Sequence, residues 1–139
     1  MAAPALPELR CPRRPAPAAI DGDPHKAPWA ALAPVWLVPA DGRAAQGAPP
    51  PEVARAHLAP GAPPLPAPFR WQPTALRVAH DGARLYACFH CVDRDAAGTL
   101  TGRNAPIYDE EVVEAFLAPG AAPAPYFELE TSPRGAWFE

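Results

Sequence analysis

The sequence predicts an all-β fold: an antiparallel β-sandwich of jelly-roll type, with long proline-rich loops in its N-terminal half. Three observations predict it. Short runs of apolar and β-branched residues alternate with polar ones at a period of two, as in 74–80 and 126–131. Turn signals separate these runs, Asp81-Gly82 and Ser132-Pro133-Arg134-Gly135 among them. And 23 of the 139 residues are proline; they crowd into the first half, where they favour irregular connections over long helices.

Taken in order, residues 1–17 are rich in Pro and Arg and form a flexible N-terminal segment. The domain proper spans 18–139. Residues 18–23 read as a short strand closed by Asp21-Gly22. Residues 28–32, around Trp29, suit one helical turn. Residues 34–39 carry Val35, Trp36, Leu37 and Val38 between prolines, which places them at a sheet edge. Asp41-Gly42 is a turn, 44–68 a surface loop, and 52–58 a brief helix within it. From Trp71 onward the pattern becomes regular. Residues 74–80 form a strand with Leu76 and Val78 on one face and Arg77 on the other. The hairpin turn at His80-Asp81-Gly82-Ala83 leads into a strand over 85–92. That strand is apolar on both faces and is expected at the centre of a sandwich. A polar loop, 93–106, precedes strands at 111–117 and 126–131. A last strand begins at Ala136 and reaches Glu139 with no turn or cap. This predicts a fragment, or a variant lacking its final strands, with an unpaired sheet edge.

Composition narrows the function. A formal net charge of -3 with no basic patch argues against nucleic acid as a partner. No apolar run is long enough to span a bilayer, and the N-terminus lacks the pattern of a signal peptide. Three cysteines, Cys11, Cys88 and Cys91, do not make a disulfide framework. Cys88-Phe89-His90-Cys91 resembles a zinc knuckle. Residues three apart on a strand point to opposite faces, however, and no second pair completes a site. Asp21, Asp23, Asp93 and Asp95 suit turns, and acids at strand ends also suit calcium. A haem site would need axial ligands such as His80 or His90; one lies at a hairpin tip and the other within a strand.

The stretch 107–117 draws most of the attention. Tyr108 precedes three acids, Asp109, Glu110 and Glu111, and Glu114 then stands inside an apolar strand. A carboxylate there is costly unless it is solvated, paired or hydrogen-bonded. If this strand neighbours 126–131, one face presents Glu114, Tyr126, Glu128 and Glu130. Such a face suits a sugar site, a hydrated surface or a calcium site. Glu128 and Glu130 lie roughly 7 Å apart on one strand and point the same way. Opposed cleft walls of the kind glycosidases use are absent from the sequence, so the reading is non-catalytic.

These residues form a recognisable order. Ile20-Asp21-Gly22 precedes a Trp. Thr74-Ala75-Leu76-Arg77-Val78-Ala79-His80-Asp81-Gly82-Ala83-Arg84-Leu85-Tyr86 follows, then Val92-Asp93, then Tyr108-Asp109-Glu110-Glu111-Val112-Val113-Glu114-Ala115-Phe116-Leu117. From about residue 18 to 139 the chain resembles the family 9 carbohydrate-binding modules. The resemblance implies a β-sandwich that holds a polysaccharide or oligosaccharide for a glycoside hydrolase such as a xylanase, in carbohydrate catabolism. It implies two aromatic rings clamping the sugar, polar side chains on its hydroxyls, structural calcium in some members, and an extracellular or periplasmic location. Carried over, the first clamp falls on Tyr108 and the acid of the family's Val-Glu motif on Glu114. The family's next strand has an Arg and an Asn; here Glu128 and Glu130 stand there, beside Tyr126. The second clamp would lie beyond Glu139. The sugar-binding set is therefore Tyr108, Glu114, Tyr126, Glu128 and Glu130. The alternative is a structural or interaction module that keeps the sandwich without binding sugar.

Overall fold

Strands form where β-branched and aromatic residues alternate with polar ones, and this chain uses them in two antiparallel sheets with almost no helix. The computed structural model describes residues 10–14, 19–37, 73–93, 95–120 and 125–139. The chain divides into two compact units, residues 1–92 and 93–139. Among the described residues, no helix is long and apolar enough to cross a membrane. The turn expected at Asp41-Gly42, the loop at 44–68 with its brief helix at 52–58, and Trp71 lie outside the described residues.

The first unit has the strand order β1-β2-β3, with β1 at Val35–Trp36, β2 at Thr74–His80 and β3 at Leu85–Cys91. The proline-flanked β1 lies at an edge, as its flanks lead one to expect. β3 departs from expectation: it is an outer strand of this sheet, and β2 is the central one. Its apolar residues on the Leu85 side stay partly or largely exposed, because the core packs on the opposite face of the sheet, the side of Tyr86 and Cys88.

Pairing of Ala75 with His90, Arg77 with Cys88 and Ala79 with Tyr86 sets these six on one face. That face is the core side. Ala75 and Ala79 are buried, and Trp29, Leu32, Ala79 and Tyr86 pack as one cluster with Cys88 against it. Ala79 is small enough to leave room for the Trp29 ring, so the core lies on the Arg77 side and the larger Leu76 and Val78 face away. Arg77 Nε donates there to the Leu32 carbonyl at 3.2 Å, while one of its terminal nitrogens is buried without a partner. This bond caps the 3₁₀ turn Trp29–Ala31, the helical turn expected around Trp29.

The strand expected over 18–23 is replaced, in its described part, by bends. Asp21 Oδ1 accepts from the Asp23 amide and Asp23 Oδ1 from the His25 amide. Such local side-chain bonds give the backbone an alternative to a ladder. Lys26 also pairs with Asp21. Of the N-terminal segment, residues 10–14 run beside the end of β2: the Arg14 amide donates to the His80 carbonyl, and the His80 amide to that of Pro12.

The β2–β3 turn is built on Asp81. Its Oδ1 accepts from the amides of Ala83 and Arg84, both at 2.8 Å, and its Oδ2 from the Tyr86 hydroxyl at 2.6 Å. Gly82 supplies a φ of +102°, which a side chain would strain. The Tyr86 bond first, then the two amides, hold the Asp81 carboxyl at about 2 against an ordinary 3.8. A carboxyl depressed in the folded state stabilises fully above its unfolded pKa and loses that contribution as pH falls through its folded one. Asp81→Ala is therefore expected to lower the thermal midpoint by several degrees at neutral pH. The gap from the parent should narrow between 3.8 and about 2. Melts across that range check this; a gap independent of pH would assign the loss to turn geometry alone.

The second unit has the order β4-β5-β6: Val113–Leu117, Phe127–Thr131 and Trp137–Phe138. β4 starts at Val113, two residues after the expected 111, because the preceding acids are engaged elsewhere. Glu110 accepts from the Thr99 amide and hydroxyl and from the Leu100 amide, and Glu111 Oε2 from the Ala97 amide. These bonds, the Thr99 hydroxyl foremost, lower the Glu110 pKa. Just before them, Ile107–Asp109 forms a 3₁₀ turn, with Ile107 at 0% exposure, and the turn packs on β5. The expected turn at 132–135 is present, with Gly135 at a φ of +75°. The outer side of β6, expected bare, is bonded by Asn104. Its amide donates to the Trp137 carbonyl at 2.9 Å and its Oδ1 accepts from the Glu139 amide at 3.3 Å. Asn104 has a φ of +55°, a conformation that Asn adopts more readily than most residues.

Candidate functional site

The register of the second sheet decides which side chains meet. β4 pairs with β5 so that Glu114 lies opposite Glu130 and Phe116 opposite Glu128; β5 pairs with β6 so that Glu130 lies opposite Phe138. Directly opposed residues share a face, so Glu114, Phe116, Glu128, Glu130 and Phe138 are on one side. Tyr126, two residues before Glu128, joins them through its ring, 5.4 Å from that of Phe116. Tyr108 reaches the other end from its 3₁₀ turn, its ring edge-on to Phe138 at 5.4 Å and 88°. All five residues expected to form the sugar-binding set, Tyr108, Glu114, Tyr126, Glu128 and Glu130, are thus associated with one sheet face.

Two aromatic pairs flank the three carboxylates: Phe116, against Tyr126, lies opposite Glu128, and Phe138, against Tyr108, lies opposite Glu130. The two ends of this stretch of chain, Tyr126 and Glu130, are about 13 Å apart at an extended rise per residue. Tyr108, Phe116 and Tyr126 are each more than half exposed. Phe116 and Phe138 were not singled out by sequence reasoning. The signal for Phe116 was available, since it stands two residues after Glu114 on the same strand and so must share its face. Phe138 could be placed only with the β5–β6 register in hand.

The three acids differ. Glu114 is exposed and Glu128 half-buried, whereas Glu130 retains 4% exposure and its Oε2 has no hydrogen-bond partner. Among the described residues no ion pair reaches any of the three. Burial, then the charges of Glu114 and Glu128, raise the Glu130 pKa above 4.5. The charged form of Glu130 therefore costs stability above that raised pKa, and the cost vanishes below the unfolded value. The face accepts hydrogen bonds almost exclusively; its hydroxyl donor is tyrosine.

The opposite face carries Val113, Ala115, Leu117, Phe127, Leu129 and Trp137, with Leu117, Phe127, Leu129 and Trp137 exposed. Arg103 lies over the Trp137 ring, 4.3 Å from its centroid, and pairs with Glu139. Neither charge is directed to the three acids in any bond described.

The other candidate ligands resolve locally. Cys88 pairs with Arg77 and Cys91 with Thr74, so the two thiols point to opposite faces, and all three cysteines are free. Burial foremost raises the Cys88 pKa. His90 packs in the sheet with its ring edge-on to His25 at 5.2 Å, and its pKa is lowered by burial first, then by His25 and Arg77. Asp21, Asp23 and Asp93 each accept from an amide two residues on, which is turn chemistry. Among the described residues, no group of three or more His, Cys, Asp or Glu side chains is arranged to hold a metal ion.

Compared with family models, curated proteins and solved structures, the chain finds no match.

Proposed function

We propose that the Tyr108–Glu114–Tyr126–Glu128–Glu130 face binds carbohydrate without catalysis, holding a polysaccharide or oligosaccharide for a glycoside hydrolase in carbohydrate catabolism. The module is then a β-sandwich of the kind the sequence resembles, the family 9 carbohydrate-binding modules. The observation that carries the reading is two aromatic pairs flanking three carboxylates on one sheet face. Flat ring faces stack on sugar rings while carboxylate oxygens accept from neighbouring hydroxyls. Phe116 with Tyr126, and Phe138 with Tyr108, offer ring surface on two sides of the acids. Titration with xylo-, cello-, malto- and chito-oligosaccharides, followed by intrinsic fluorescence with and without calcium, tests it. Tyr108→Ala is expected to weaken binding about tenfold, or ~1.4 kcal/mol. Unchanged affinity in that variant would remove Tyr108 from the site.

One observation favours a second reading, a structural or interaction module. Glu128 and Glu130 stand where the resemblance implies donors. A folded chain that binds none of these oligosaccharides would leave that reading in place.

A further inference from the structure

We propose that the carbohydrate this face takes carries free amino groups, as in oligomers of glucosamine, with an ammonium seated against Glu130 and Glu114. The inference rests on the carbohydrate reading above and names its substrate class. Three features lead to it. First, the face holds three carboxylates and, among the described residues, no cation paired with them. Neutral sugar hydroxyls would satisfy the acceptors but leave the mutual repulsion of Glu114, Glu128 and Glu130 in place. A protonated amine brings three N–H donors and the compensating charge together.

Second, Glu130 is buried to 4% exposure with Oε2 unpartnered. A buried acceptor without a partner is costly, and a buried carboxylate more so. Its opposed neighbours are Glu114 on one side and Phe138 on the other. A cation entering there gains a carboxylate on two strands and the Phe138 and Tyr108 rings alongside, and aromatic faces attract cations. Third, the acids do not form a metal cage. Glu128 and Glu130 are spaced roughly 7 Å apart along β5, an arrangement that suits charges distributed along a polymer better than one compact ion.

The test uses three β-1,4-linked tetramers that differ at one position of each ring: glucosamine, N-acetylglucosamine and glucose. Calorimetric titration of the full chain is expected to show at least tenfold tighter binding of the glucosamine tetramer at low salt. That advantage should shrink as ionic strength rises through about 0.15 M, where exposed charges are screened beyond ~8 Å. Glu130→Gln, close to isosteric, should abolish the preference while the circular dichroism spectrum is kept. Equal binding of all three tetramers overturns the amine inference and leaves the carbohydrate reading standing. Binding of none by a folded chain overturns both. Displacement of the glucosamine tetramer by tetralysine at equal concentration would show that the face takes any oligocation, and would also overturn the proposal. Retained preference in Glu130→Gln does so as well.

Discussion

Trp29→Ala is expected to destabilise the first unit by about 3–5 kcal/mol, the range for emptying a buried large aromatic site. Trp29 retains 4% exposure and is the largest member of a cluster completed by Leu32, Ala79 and Tyr86. Its β2 neighbour in that cluster is Ala79, whose methyl cannot move in to fill the void. The loss is a large share of what a small domain has to spare. Urea unfolding followed by far-ultraviolet circular dichroism measures the effect. A loss below about 1 kcal/mol would mean that the cluster does not hold the hairpin.

The second large effect belongs to Ile107. Its side chain is fully buried and the 3₁₀ turn that carries it packs on β5. Ile107→Ala is expected to cost about 2–5 kcal/mol, and here stability and site are linked. The same turn positions Tyr108 against Phe138, next to the strand that holds Glu130. Loosening it should admit water to Glu130, so the carboxyl titrates nearer its ordinary 4.5. Carbon-detected NMR titration of the Glu130 carboxyl, set beside a thermal melt, separates the two consequences. A destabilised variant whose Glu130 still titrates high would show that other groups keep that carboxyl dry.

The parts of this molecule legible in the sequence are those fixed by nearest neighbours. β2 and its turn were readable because alternation and Asp81-Gly82 act over a few residues. So was the sharing of one face by Tyr126, Glu128 and Glu130, which period two alone dictates. Missed features depend on partners distant in sequence. Whether the core lay under Leu76 and Val78 or under Ala75 and Ala79 was settled by Trp29, more than forty positions earlier, a pairing that alternation cannot reveal. β3 looked central because both its faces are apolar, yet strand order is set by β1 pairing with β2. The roles of the acids after Tyr108 were not legible from their spacing. Glu110 and Glu111 fasten the 97–100 loop, and Glu114 alone among the glutamates of that stretch reaches the candidate face.

Asn104 has a consequence for how copies of this chain behave in concentrated solution. A strand's free side is a row of amides and carbonyls that another chain can extend, the route to edge-to-edge aggregation. On the outer side of β6, the Trp137 carbonyl and, one residue past the strand, the Glu139 amide are taken by one asparagine. The side chain and backbone of Asn104 thus act as a stopper of a single residue's size. They hinder strand addition on that side with no charged or proline residue within Trp137–Phe138, and they leave the acidic face free for a ligand.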